Sequence, residues 1–409
     1  MNRSMLLVAL LVAACPVRGS TKTEPAPAGA DFAAAPADAW PLARGCPAGT
    51  GRSVAVLRLP LAEGWTRRFE KTSFGAAPIV AAGTVYVGDL DGTFHALAAD
   101  SGATRWTFRT EAAGFPASAA WTDIGPRPLV IVGDDTGVVR ALDAATGELV
   151  WEYETEGEIS GGPTVLRTAA GGRVVVGSQD ASLSCLDVAA GRLIWKHSIA
   201  DQIRCSPTVA RTADGDRIFI AGCDGKLHVV AAADGAEIGA VPIDGPTGAT
   251  PAVAADRVFF GTEGGGFFAI DVLERKVAWR KQAGAAGQSY RSSAAIVDGL
   301  AIVGSRAKAV EAFALADGER KWRLPTRGRV DASPAVALAT GPGDAAAAPR
   351  HVALVVDAAG TILAIDVTTG EPAWRFDAGG RFAAGPAIAA GRVFIASEDG
   401  TVLCFHSAE

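Results

Sequence analysis

A tryptophan returns at near-regular intervals along this 409-residue chain, at Trp65, Trp106, Trp151, Trp195, Trp279, Trp322 and Trp374. The steps run from about 40 to 52 residues. One beat is silent: Gly239 stands 44 residues after Trp195 and 40 before Trp279. The fullest copy of the unit reads Ala141-Leu-Asp143-Ala-Ala-Thr-Gly147-Glu-Leu-Val-Trp151. Repeats of this length, built of short β-branched runs with no 3.6-residue apolar period, pack as four-stranded blades around an axis. The repeat therefore predicts an all-β chain, an eight-bladed β-propeller of four-stranded antiparallel blades. It also implies that what recurs is scaffold, so function belongs where the copies differ.

The unit over residues 161–197 resolves into strands. Residues 161–166 read as the innermost strand A, 173–177 as B, 182–187 as C and 193–197 as D. Asp-Gly pairs at the B–C junction (Asp91-Gly92, Asp224-Gly225, Asp399-Gly400) predict two-residue hairpin turns with positive φ at both positions. Gly102, Gly147, Gly191, Gly235, Gly318 and Gly370 mark C–D turns too tight for a Cβ. Pro78, Pro163, Pro207, Pro251, Pro334 and Pro386 open strand A, where a missing N–H costs least. The last unit has only three strands before the chain ends. Gly64-Trp65-Thr-Arg-Arg-Phe69 matches Ala373-Trp374-Arg-Phe376, so the ring is expected to be closed by the N-terminal strand. Closure removes the free sheet edges that template aggregation.

The first residues read as a sorting signal. Arg3 is followed by a ten-residue apolar run from Met5 to Ala14, too short to span a bilayer. Val12-Ala13-Ala14-Cys15 has the pattern of a bacterial lipobox, with lipidation at Cys15; the alternative is an ordinary secretory signal. The expected division is 1–14 signal peptide, 15–50 lipidated Cys and flexible tether, and 51–409 propeller. The tether assignment rests on an Ala-, Pro- and Gly-rich composition without periodicity. Pro16 follows the Cys, with no Asp to match an inner-membrane retention signal, so a lipid anchor in the cell outer membrane is expected, on its periplasmic side or else surface-exposed. A net charge of −6 with no basic run excludes a nucleic-acid partner. Cys205 and Cys223 stand at the adjoining ends of one A–B hairpin, either as a disulfide or as two unbonded thiols.

The pattern Ala-x-Asp-x-x-x-Gly-x-x-x-Trp is complete at Ala141/Asp143/Gly147/Trp151 and at Ala364/Asp366/Gly370/Trp374. It resembles the tryptophan-docking motif of the quinoprotein, or PQQ-type, β-propeller superfamily, over roughly residues 63–406. The motif is structural, so the likeness implies fold more than function. In plan, with a lipobox, a short tether and one propeller, the chain resembles the lipoproteins of the BamB family. That likeness implies a non-catalytic, monomeric scaffold, held to the membrane by its lipid. Its protein partner would be the outer-membrane β-barrel assembly machinery. A binding module for cell-envelope polymers or other envelope proteins is the alternative. The superfamily's dehydrogenases hold PQQ and calcium, beneath an adjacent Cys-Cys pair and with an Asn ligand. This chain has no adjacent cysteines, and Asn2 is its only asparagine. No cofactor, metal or catalytic residue is therefore expected.

The D–A connections vary most, and in a propeller they line one mouth of the channel. Arg204, Tyr290, Arg291, Arg329 and Arg381 come from four of them and are the candidate partner-binding residues; Phe74 and Phe115 are expected beside them as exposed aromatics. Glu154, Glu156 and Glu158 make one connection acidic. A basic arc with aromatics suits recognition. The alternative is a set of solvated arginines neutralised by nearby acids.

Overall fold

The computed structural model describes residues 34–212, 214–284, 288–341 and 348–408. The signal, Cys15 and the first part of the expected tether lie outside them.

Each repeat becomes one antiparallel blade. Blade 3, for example, contains Thr164–Thr168, Gly171–Gly177, Ser182–Asp187 and Leu193–Ser198. Pro163 sits one residue ahead of its strand A rather than within it. Eight sheets stand in a ring, with no helix among the described residues. Blade 8 holds Ala387–Ala389, Arg392–Ala396 and Thr401–Ser407, and Leu61–Arg68 completes it. The pairing runs antiparallel from Leu61 opposite Ser407 to Arg68 opposite Thr401. The ring is thus closed by the N-terminal strand.

The repeated tryptophans join blade to blade. All seven donate Nε1–H to a carbonyl of the next blade, as Trp106 does to Ala144 (3.1 Å), Trp151 to Val188 (2.8 Å) and Trp374 to Leu61 (3.0 Å). Six of the seven indoles, all but Trp374, also cover the glycine of the next C–D turn. A Cβ on Gly147, whose φ is +78°, would lie 2.5 Å from the Trp106 ring. The silent beat is compensated. The blade 4–5 junction lacks the ring at Gly239, and the facing turn carries Arg275 at φ +51° where a glycine would stand. The Arg275 chain lies over Gly239, within 2.7 Å of where a Cβ would be.

Two expectations are corrected. The B–C turns are not two-residue hairpins. In blade 1 four residues separate the strands, and Asp89 Oδ1 accepts the N–H of Asp91 (3.1 Å) and Thr93 (2.8 Å). Only Gly92 has positive φ, +89°. An acid at the strand end captures amides that a two-residue turn would leave pointing outward. Turns with two positive φ values occur instead at A–B, as at Asp298-Gly299 (+48°, +74°).

The second correction concerns residues 34–50, which do not form a tether. They coil inside the channel and pair with the inner edges of the A strands. The amides of Trp121, Val209, Val253, Ile296, Val336 and Ala390 donate to Pro41, Pro47, Ala48, Thr50, Gly51 and Ala37, and Trp40 pairs with Val80 in both directions. Arg52–Arg58 then adds to Ala335–Thr340 as a parallel fifth strand. Trp40 is fully buried, and Leu42 and Cys46 nearly so. The inner edge of a blade presents unpaired N–H and C=O groups, and this coil satisfies them. Backbone pairing needs no apolar period, so the composition resembled a linker.

Candidate docking face at the channel mouth

The D–A connections and B–C turns share one face because they bond to each other. Cys223 N–H donates to Gln202 O (2.9 Å), Arg306 to Ser289 (3.0 Å), Ala358 to Arg329 (2.9 Å) and Glu398 to Arg381 (2.8 Å).

Aligned with one another, the connections follow a common plan. The first common position is an inward anchor. Phe74, Phe115, Ile159, Ile203, Tyr290, Val330 and Phe382 occupy it, and all are buried. Several press on the glycine that ends a B strand: a Cβ on Gly88 would lie 2.3 Å from Phe115, and one on Gly261 2.2 Å from Tyr290. Phe74 and Phe115 are therefore core, not exposed aromatics. Tyr290 is core as well, at 1% exposure, and its hydroxyl donates to Glu311 Oε2 at 2.8 Å. Burial, then the neighbouring Glu311 carboxylate, pushes its phenol well above the ordinary value. It cannot touch a partner from there and leaves the candidate set.

One residue after the anchor comes an outer ring facing the channel, which includes Ser160, Arg204, Arg291 and Asp331. Two residues further lies an inner ring with Ser206, Thr250, Ser293 and Ser333. The outer cavity, about 650 Å³, is lined by Arg204, Arg291, Arg306 and Arg329 with Glu263, Asp331 and Glu398. The inner one, about 200 Å³, takes residues from all eight connections and has Ala43 and Arg44 of the coil in its lining.

Most of these cations are answered by acids. Arg291 Nε lies 2.6 Å from Glu263, Arg329 Nε 2.7 Å from Asp331, and Arg381 Nε 3.4 Å from Glu398. Arg306 makes a two-pronged pair with Asp331 at 2.9 and 3.0 Å. Burial alone would raise the Asp331 carboxyl, but hydrogen bonds from Arg306 and Arg329 outweigh it and hold it below the usual carboxylate range. Arg204 differs, since its Nε donates to the amide oxygen of Gln202 at 2.9 Å. The arginines remain largely solvated, with side chains of Arg291, Arg329 and Arg381 46%, 56% and 70% exposed. Three of the five candidates thus line one opening, and Arg381 stands behind it, paired with Glu398 of the lining. Sequence reading missed Arg306, which aligning the B–C turns would have offered, and Arg44, for which no pattern existed.

Cys205 and Cys223 are both thiols, with no bond between them. Burial pushes Cys205 up to about 12, and its Sγ donates to Ala221 O at 3.5 Å. His197, His228 and Glu237 place their ligand atoms within 4.8 Å of one another across blades 3 and 4. His228 already bonds Asp224 (2.9 Å) and Glu237 (3.2 Å) through its two nitrogens.

Comparison with known proteins follows the same lines. The family model for the outer membrane protein assembly factor BamB matches residues 61–137, 135–213, 210–337 and 307–409. No curated protein sequence matches the chain. Among solved structures, BamB from Moraxella catarrhalis is similar at 18% identity, covering 85% of this chain and 97% of that one, with a TM-score of 0.63. The computationally designed Ika8 protein is similar at 16% identity, covering 84% and 99%, with a TM-score of 0.66. Quinohemoprotein alcohol dehydrogenase from Comamonas testosteroni is similar at 14% identity, covering 91% and 81%, with a TM-score of 0.70. These structural likenesses show the fold.

Proposed function

The chain belongs to the BamB family of outer membrane protein assembly factors, and on that premise we propose that it is a non-catalytic scaffold. It docks a protein partner on its channel-mouth face, within outer-membrane β-barrel assembly. The observation that carries the reading is the convergence of Arg204, Arg291 and Arg329, from three separate connections, around one opening, with Arg381 of a fourth paired to Glu398 in its lining. Exposed, partly paired arginines on preorganised loops suit recognition of an acidic partner surface.

A dehydrogenase reading is not supported by the donors in the channel. Cys223 is the one cysteine in the outer lining, and Glu263, Asp331 and Glu398 are each engaged by an arginine. A calcium ion wants six or more free oxygen ligands, and this set does not fit a calcium–quinone pair.

The lipid anchor at Cys15 belongs to the same proposal. Ala34 enters beside Trp121–Ile124 and Arg167, on the A–B side. A tether attached there leaves the arginine mouth on the far face. Cys15→Ser should release the protein from membranes and end lipid labelling. A membrane-bound variant beside an unlabelled wild type would remove the anchor.

Affinity purification from solubilised membranes with mass spectrometry tests the function. Recovery of β-barrel assembly components supports the reading. Recovery of cell-wall fragments or unrelated envelope proteins in their place overturns it in favour of the alternative.

A further inference from the structure

Beneath the mouth lies a buried cation that no acid answers. Arg44, carried by the coil of residues 34–50, is 6% exposed. Both hydrogen bonds of its guanidinium leave from Nη2, to Ala294 O (3.0 Å) and Pro334 O (2.7 Å). Its Nε has no partner, and no carboxylate pairs with it among the described residues. Burial pulls its pKa from 12.5 down to about 10. A buried guanidinium in this state carries a large desolvation cost that a counter-charge would offset.

The surroundings can supply donors but few acceptors of charge. Gly162 N–H donates to Ser206 Oγ (2.9 Å), Ser206 N–H to Thr250 Oγ1 (3.2 Å), Thr250 N–H to Ser293 Oγ (2.9 Å) and Ser293 N–H to Ser333 Oγ (2.9 Å). A hydroxyl whose oxygen accepts an amide keeps its own proton to give. This belt runs through the inner ring, above which stand Arg204 and Arg291. Asp331 is the one acid in the inner lining, and Arg306 and Arg329 already hold it.

We propose that the inner channel binds the oxyanion group of a small molecule, a carboxylate or a phosphate, between the Arg44 guanidinium, the hydroxyl belt, and Arg204 with Arg291. The inner space of about 200 Å³ accommodates the anionic group, and the outer cavity of about 650 Å³ has room for a longer molecule that bears it. The site shares Arg204 and Arg291 with the rim, but Arg44 and the hydroxyl belt belong to it alone, and its binding is read with no protein partner present.

The test uses the full chain, purified in chloride buffer, with inorganic phosphate and citrate as probes at matched ionic strength, read by titration calorimetry. Saturable binding of either probe is expected. Phosphate binding means that a free ion suffices, and citrate binding alone means that the outer cavity contributes. Arg44→Gln should weaken binding by about tenfold or more, while Arg167→Ala on the opposite face leaves it unchanged. If Arg44→Gln does not fold, the exposed pair Arg204→Ala with Arg291→Ala decides by the same criterion. No saturable binding of either probe, or wild-type binding in these variants, overturns the site and leaves Arg44 as a staple between the coil and blades 6 and 7.

Discussion

Around its outer belt the propeller repeats itself, and around its channel mouth it does not. At the belt, seven indoles reach across to a carbonyl of the next blade, and for six of them the facing turn carries a glycine that receives the ring. At the mouth, equivalent positions hold Ser160, Arg204, Arg291 and Asp331 in turn. The anchors directly before them are buried in blade after blade. The comparison teaches that identity changes from scaffold to surface within a single residue step, as between Tyr290 and Arg291. What holds the loops is shared, and what the loops present is particular to each.

The coil beneath the mouth tests that division hardest. If residues 34–50 were a linker, Trp40→Ala would be silent. Because Trp40 is fully buried against the inner strands, the change should cost about 3–5 kcal/mol in denaturant unfolding. A shift of the midpoint too small to measure would return the segment to the status of tether.

A second probe sharpens the belt side. Gly239→Trp alone should destabilise, because Arg275 occupies the space the ring needs. With Arg275→Gly added, the common indole-on-glycine junction becomes available. The double-mutant cycle should show favourable coupling of about 1–3 kcal/mol. Additive effects would mean that the two departures are unrelated.

The belt was legible in the sequence because it depends on residue types that nothing else replaces. An indole recurs at Trp106 and Trp151, and a positive-φ turn without a Cβ at Gly147. The mouth was half legible. Arg291 and Arg329 stand out by charge, but Tyr290 and Phe115 read as surface because one connection alone looks like a loop. Alignment of the connections would have put both on the anchor position with Ile159 and Val330. The coil was not legible at all. Pro41, Pro47 and Ala48 act there through backbone carbonyls, which leave no side-chain pattern. The acid at the end of strand B, Asp89, had the same effect on a smaller scale, converting an apparent hairpin signal into a side-chain-capped turn.

A smaller effect is expected from acid at the mouth. Asp331 has its folded pKa held below its ordinary 3.8 by Arg306 and Arg329, against the opposing pull of burial. Its contribution is fully present above about pH 4 and is lost as the pH falls through the depressed value. Asp331→Asn should therefore be less stable than wild type at neutral pH, and the gap should narrow in strong acid. A gap that widens on acidification would contradict the pairing.

Smallest for stability, yet largest for function, is charge reversal on the rim, and measuring it tests the central claim most directly. Arg291→Glu with Arg329→Glu should leave unfolding within about 1 kcal/mol of wild type, since both side chains are solvated. Affinity for the recovered protein partner should fall sharply at low salt, with the difference shrinking as salt screens the charges. Arg167→Glu, exposed on the opposite face, should bind as wild type does. If the rim variant binds normally and the Arg167 variant does not, the working face is the other one.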